Sequence, residues 1–186
     1  MLTGETGSGK TAILEMIGLA RPPMLGGLQL FGQDVARVTQ PARHALRRRI
    51  GIIFQDLKLV DDLSVHDNVV LAVWAAGRRG QGPATEIAEV LSWVGLGQRR
   101  QAMSGALDDE GRRRLALARA VINRPDLVIA DEPAGKTGQA ILALLADLNQ
   151  AGTAILLATR DAVLAANAGA EVTHLNRART AEDGRP

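Results

Sequence analysis

Apolar residues along this chain fall into short unbroken runs, and the stretches between them repeat with a period near 3.6. That alternation is the signature of βα units. Runs at 27–31, 50–54, 127–130, 154–158 and 171–175 predict strands, with Met1, Leu2 and Thr3 ending a further one. A strand of a parallel sheet is covered on both faces, so it reads as continuously apolar rather than alternating. Helices are predicted over 12–19, 41–48, 64–73, 84–94, 110–122 and 139–148, with Ser64 placed to cap the third. The Gly/Arg-rich stretch 77–83 predicts a loop, and the polar residues 176–186 predict a mobile tail. Because 60–101 carries helices and no strand, it predicts a helical insertion. The pattern therefore describes one α/β domain over 1–175 with a mostly parallel sheet and a helical subdomain at about 60–101.

Composition narrows the class. At 186 residues, 46% of them hydrophobic and 23% charged, the chain can bury a substantial core as one domain. No apolar run approaches the roughly 20 residues of a membrane span, and the start does not read as a secretion leader, so a cytoplasmic location is expected. The absence of cysteine removes disulfide frameworks and thiolate metal sites. Formal net charge is only +2, and Arg47-Arg48-Arg49 and Arg112-Arg113-Arg114 read as solvated helix faces. Phe31, Phe54, Trp74 and Trp93 are too scattered for a base-stacking platform, so no nucleic-acid partner is expected.

Chemistry enters at Gly4-Glu5-Thr6-Gly7-Ser8-Gly9-Lys10-Thr11, which satisfies G-x-x-x-x-G-K-[ST]. Glycines let the backbone turn its N–H groups inward around an anion. Lys10 would reach the β- and γ-phosphates of a nucleoside triphosphate and Thr11 would offer its hydroxyl to Mg²⁺, while the following helix points its positive end at the phosphates. A second signal is the apolar strand ending in Asp131-Glu132. There Asp131 would hold Mg²⁺ directly or through water, and Glu132 would deprotonate the water attacking the γ-phosphorus. A third is the strand ending Phe54-Gln55-Asp56. No guanine-reading Asn-Lys-x-Asp is present, which argues against a GTPase.

The phosphate loop, Gln55, Ala118-Arg119-Ala120 and Asp131-Glu132-Pro133, in this order, resemble the ATP-binding cassette ATPases. Their wording is closest to the cell-division, FtsE-like type, and cassettes of lipoprotein and peptide export carry similar motifs. The resemblance implies a P-loop NTPase fold, ATP and Mg²⁺ as ligands, and a homodimer or heterodimer of cassettes. It also implies that Gln55 senses the metal and γ-phosphate and couples them to the helical subdomain. That subdomain would dock on an integral membrane subunit, FtsX-like in this type, placing the chain on the inner face of the membrane.

Departures from the family pattern are equally specific. The Leu-Ser-Gly-Gly-Glu-Gln-Gln-Arg signature, which contacts the γ-phosphate held by the other subunit, falls without gaps on Leu107-Asp108-Asp109-Glu110-Gly111-Arg112-Arg113-Arg114. Three carboxylates there would face an anion, and a like-charge contact at 4 Å costs roughly 4 kcal/mol at an effective dielectric of 20. A gapped alternative uses Met103-Ser104-Gly105-Ala106. After Asp131-Glu132-Pro133-Ala134-Gly135, the residues Lys136-Thr137-Gly138 lead early into a helix, which shortens the loop that speaks across the dimer. Arg160 stands where the family has a histidine that holds the attacking water, and a guanidinium accepts no hydrogen bond. His44 and His66 lie elsewhere, and His174 reads as structural. The family's longer N-terminal segment supplies an adenine-stacking aromatic, often tyrosine, and this chain has no tyrosine. The expectation is MgATP binding with weak recognition of the base and slow or absent turnover in a homodimer, the alternatives being a catalytically impaired regulatory or scaffold subunit or a cassette ATPase of a lipoprotein or peptide export system.

Overall fold

The computed structural model describes residues 1–23, 25–78, 84–133, 139–167 and 169–176. In chain order the elements are β1 (Leu2–Thr3), α1 (Lys10–Ile17), β2 (Gln29–Leu30), β3 (Gln33–Asp34), α2 (Gln40–Arg48), β4 (Ile50–Ile53), α3 (Val65–Ala75) and α4 (Ala84–Trp93). They continue with α5 (Asp109–Val121), β5 (Leu127–Asp131), α6 (Gln139–Gln150), β6 (Ala154–Thr159), α7 (Ala162–Asn167) and β7 (Thr173–His174). Five strands form one sheet in the order β4-β5-β6-β1-β7, and each of its neighbouring pairs is parallel.

Both faces of that sheet are covered, which explains the unbroken apolar runs. Successive residues of β5 point to opposite sides. Val128 and Ala130 enter a core with Ile53, Leu115, Leu117 and Leu157, while Ile129 joins Leu14, Leu46, Ile50 and Ala158 under α1 and α2. The first core continues into the helices α3, α4 and α5 through Val65, Val69, Val73, Ile87 and Leu91. Among the described residues no helix is long and apolar enough to cross a membrane.

Several expectations are corrected. The run at 27–31 is not a strand of the main sheet: only Gln29 and Leu30 are extended, and they pair antiparallel with Gln33 and Asp34. Phe31 and Gly32 form a two-residue turn with φ of 50° and 77°, the doubly left-handed geometry that closes tight hairpins. A seventh helix, α7, and 3₁₀ turns at Gly97–Arg99 and Ser104–Ala106 were not expected. The Asp161 carboxylate starts α7 by accepting from the N–H groups of Val163 (2.9 Å) and Leu164 (3.0 Å). Helix α1 begins two residues before the predicted 12–19, at Lys10, and the last strand shrinks from 171–175 to Thr173–His174. Most of the loop at 77–83 and almost all of the tail at 176–186 lie outside the described residues.

Arg47, Arg48 and Arg49 are exposed, whereas Arg112, Arg113 and Arg114 are half-buried, and both runs make ion pairs. Arg49 pairs with Asp126 at 2.6 Å and lies over the Phe31 ring; Arg112 pairs with Asp61 at 2.7 Å, and Arg114 with Glu110 at 2.6 Å.

One buried side chain fixes the segment that follows Gln55. Asn68, fully buried on α3, donates to the carbonyls of Val60 (3.0 Å), Leu63 (3.3 Å) and Ser64 (3.0 Å) and accepts from the Val60 N–H at 3.0 Å. Ser64 caps the same helix, accepting from the Asp67 N–H at 3.0 Å. Asn68→Ala strips several buried backbone groups of their partner, so it should lower unfolding stability by about 1–3 kcal/mol, read as a reduced denaturant midpoint with an unchanged slope.

Candidate functional site

Parallel pairing brings the candidate residues to one edge. Thr3 lies opposite Thr159, Asp131 opposite Ala158 and Ile53 opposite Ala130. Continuing each strand by a step places Gly4 beside Arg160, Glu132 beside Thr159, and Phe54 beside Asp131. Residues far apart in sequence thus leave the carboxyl ends of their strands together, the usual place for a ligand in an open α/β sheet.

The loop from Gly4 to Thr11 wraps the start of α1. Gly4 has φ 146°, and a Cβ there would collide with the Leu175 carbonyl and crowd the Ser8 hydroxyl at 2.7 Å. Gly9, at φ 93°, is the N-cap of α1; the helix has no side-chain cap and no acidic residue in its first turn. Its first amides therefore point out uncapped, which with the helix dipole favours an anion. Lys10 is buried at 7% exposure. Its Nζ donates to the carbonyls of Gly4 (2.6 Å) and Glu5 (2.9 Å) and to the Ser8 hydroxyl (3.5 Å), so the ammonium lies inside the loop.

Thr11 Oγ1 donates to Asp131 Oδ2 at 2.8 Å, joining α1 to the end of β5. Thr11, Gln55 and Asp131 line one cavity of about 470 Å³ with Phe54, Asp56 and Lys58. Hydroxyl, amide carbonyl and carboxylate make an all-oxygen donor set, which fits a hard cation such as Mg²⁺. The Gln55 segment is braced from below by Arg119 on α5, whose NH1 donates to the Lys58 carbonyl at 2.5 Å. Burial lowers the pKa of that guanidinium from its ordinary value.

Glu132 leaves β5 in a left-handed conformation, φ 47°, a region that costs a side-chain-bearing residue on the order of 1–3 kcal/mol. Its N–H still pairs with the Ala158 carbonyl at 2.9 Å. The turn directs the carboxylate toward β6, where Oε2 accepts from Thr159 Oγ1 at 3.2 Å and Oε1 from Arg160 Nε at 3.0 Å. Arg160 also reaches the phosphate loop, NH1 to Thr6 Oγ1 at 3.4 Å. With Arg160 more than half exposed, this ion pair contributes at most about 1 kcal/mol. The sequence named Arg160 as a departure but did not reveal this pairing. Nor did it single out Thr159, 2% exposed at the same edge. An apolar strand ending in a hydroxyl beside a cation was the available signal. His174 Nδ1 bonds Thr3 Oγ1 at 3.1 Å, joining β7 to β1.

At the other end of the chain's chemistry, α5 begins at Asp108, whose Oδ1 accepts from the Gly111 N–H at 3.1 Å. Asp108, the residue that the ungapped alignment sets at the signature serine, thus occupies the helix N-cap. Ser104, the residue of the gapped alternative, is fully buried and donates its hydroxyl to the Val60 carbonyl at 2.7 Å. Nor do all three carboxylates project equally: Glu110 is turned onto Arg114, accepting at 2.9 and 2.6 Å, while Asp109 is exposed. The residues of the shortened loop, 134–138, lie outside the described part of the chain.

Comparison with known proteins agrees with this geometry. The ABC transporter family model matches residues 1–135. The chain is 35% identical over 181 residues to the lipoprotein-releasing system ATP-binding protein LolD of Shewanella sp. (strain MR-7), covering 94% of this chain and 78% of that one. It is likewise 35% identical over 164 residues to the cell division ATP-binding protein FtsE of Escherichia coli (strain K12), covering 86% and 74%. Among solved structures it superposes on the dimeric structure of MJ0796, a bacterial ABC transporter cassette, with a TM-score of 0.84 at 26% identity, over 95% of this chain and 80% of that one. With its parallel sheet, its phosphate loop on α1 and a family match over most of its length, the chain belongs to the ABC transporter family as an ATP-binding cassette.

Proposed function

We propose that this chain is an MgATP-binding cassette subunit in which 1–175 forms the working domain and the helical part at about 60–101 carries nucleotide state to an integral membrane partner. The observation that supports it best is the union of an uncapped α1 N-terminus, Lys10 inside the loop, and Thr11 bonded to Asp131 at 2.8 Å beside Gln55. In this reading the amides of the Gly4–Thr11 loop and Lys10 bind the phosphates. Thr11, Asp131 and Gln55 hold Mg²⁺, which when bound offsets phosphate charge. Glu132 is the general base, held in orientation by Thr159.

Turnover is expected to be slow in a homodimer, because the helix end that would face the partner's nucleotide carries Asp108 and Asp109. A heterodimer with a cassette that keeps serine and glycines there retains one working site. The nucleotide-binding regulatory or scaffold reading is favoured by the same residues. Equal identity to lipoprotein-release and cell-division proteins makes the partner the deciding fact for the process. The FtsE type requires an FtsX-like membrane protein, and the location is then peripheral on the inner membrane face.

Three measurements follow from this reading. MgATP at 100 times its dissociation constant should stabilise the chain by about 2.7 kcal/mol, seen as a raised thermal midpoint, and Lys10→Ala should abolish the shift. The purified chain alone should hydrolyse ATP well below the ~10 s⁻¹ of a typical enzyme; turnover of several per second that is lost in Glu132→Gln contradicts the assignment of a crippled facing site. Affinity capture from detergent-solubilised membranes should recover an FtsX-like protein if the process is cell division, whereas recovery of a lipoprotein-release subunit assigns the other type.

A further inference from the structure

Two adjacent residues just after Gln55 hold a backbone that side chains disfavour. Leu57 and Lys58 have φ of 58° and 49°, and no other neighbouring pair of side-chain-bearing residues is left-handed among the described residues. The Lys58 N–H donates to the Asp56 carbonyl at 2.6 Å across Leu57, the bonding pattern of the rare, strained γ-turn with positive φ. Such a backbone persists only where surrounding contacts over-determine it. Both ends of the segment are pinned independently: Ile53 by pairing with Ala130, and Val60 by Asn68 and by the Ser104 hydroxyl at 2.7 Å. Between those ends the Lys58–Asp56 ion pair is exposed on both sides and holds little, while Leu57 packs partly buried against the core. The polar hold from outside, among the described residues, is Arg119, whose NH1 donates to the Lys58 carbonyl at 2.5 Å. Ala118-Arg119-Ala120 is also a motif of the sequence for which the proposed chemistry has no use. The guanidinium is half-buried and shares a cavity of about 360 Å³ with His44, Arg47 and Arg48. Burial disfavours its charge there, and a carbonyl rather than a carboxylate holds it in place.

We propose that Arg119 is a positioning residue for the metal end of the site: by holding the Lys58 carbonyl it keeps the turn at 56–58 left-handed, and so keeps Gln55 in the cavity it shares with Thr11 and Asp131. The inference rests on the MgATP-binding reading above. Asp56 and Lys58 line that same cavity with Gln55, so the turn is part of its wall, and rotation of a turn peptide carries the adjoining residue with it. A bond from a cation to a carbonyl is stronger than a neutral one, and the planar fork of an arginine fixes its direction. Without that bond Lys58 relaxes toward the right-handed region, and Gln55 leaves its place beside Thr11 and Asp131. Lys10, by contrast, is held by contacts within the phosphate loop itself, which the turn does not touch. Arg119 therefore acts on the cation and not on the phosphates.

The test follows magnesium and nucleotide separately on the full chain, with the β,γ-imido analogue of ATP, which is not hydrolysed, as the probe. Arg119→Ala should raise the magnesium concentration that gives half of the analogue-bound thermal shift about tenfold, equivalent to about 1.4 kcal/mol. Binding of the analogue in EDTA should stay within about twofold. With no ligand present, amide hydrogen exchange at Leu57, Lys58 and Leu59 should accelerate in R119A while that of β4 is unchanged. Lys58→Gly, which takes a left-handed φ without penalty, should recover most of the lost magnesium affinity in the R119A background and gain little where Arg119 is present. Unchanged magnesium dependence in R119A, equal loss with and without magnesium, or no recovery by K58G overturns the proposal. A wild-type chain that binds the analogue neither with magnesium nor in EDTA overturns the MgATP-binding reading and the inference with it, whereas the inference fails alone when wild-type binding is intact and one of those three results is found. Melts without ligand monitor folding; should R119A not fold, Arg119→Lys, which keeps the charge but not the fork, takes its place with a smaller shift in the same direction.

Discussion

The whole site hangs on the register of a parallel sheet. Parallel strands need crossovers, so every carboxyl end emerges on the same side, and the pairings Thr3 with Thr159, Asp131 with Ala158 and Ile53 with Ala130 decide which residues meet there. Helix α1 then starts directly above the junction and is tied to it by the Thr11–Asp131 hydrogen bond. A slip of one residue in β5 would reverse which side chains enter each core, exchanging Ile129 for Val128 and Ala130, and would carry Asp131 away from Thr11. Packing on two faces thus specifies the chemistry at the edge.

A second regularity is that the charged groups at this edge already have protein partners. Lys10 is held by loop carbonyls, Asp131 by Thr11 and Glu132 by Thr159 and Arg160. A buried ammonium without acceptors would carry a large desolvation penalty, so the loop can be stable with Lys10 buried only because Gly4 and Glu5 turn their carbonyls inward. Nucleotide binding on such a surface is an exchange of partners rather than the capture of bare charges.

Much of this was legible because it is local or carried by motif. The phosphate loop, Asp131-Glu132 and the Ser64 cap depend on residues close in sequence, and the unbroken apolar runs of β4, β5 and β6 reflect burial on both faces. What was illegible depends on tertiary geometry. Gln29 and Leu30 look like any short apolar strand until the turn at Phe31 and Gly32 folds them onto Gln33 and Asp34. The contacts of Glu132 with Thr159 and Arg160 require its left-handed φ, which no propensity assigns to a glutamate. Glu110 and Arg114, four residues apart on a helix, could have been paired from spacing alone, and that pairing lowers the count of carboxylates free to face an anion.

The two helix ends most concerned with phosphate in this family have opposite character in this chain. That of α1 is uncapped and free of acidic residues, whereas that of α5 is filled by Asp108, with Asp109 exposed beside it. Carboxylates suit a helix N-terminus by themselves, because they satisfy its amides and its dipole. The substitution of the signature is therefore favourable for the folded monomer and unfavourable only when a second anion approaches. Two identical chains would bring such ends to both phosphate loops, while a partner with serine and glycines at this helix end would bring uncapped amides to Gly4–Thr11. In the proposed reading, the same carboxylates that secure α5 disfavour self-pairing around ATP, and the choice of partner, more than the loop itself, then decides whether bound nucleotide is turned over.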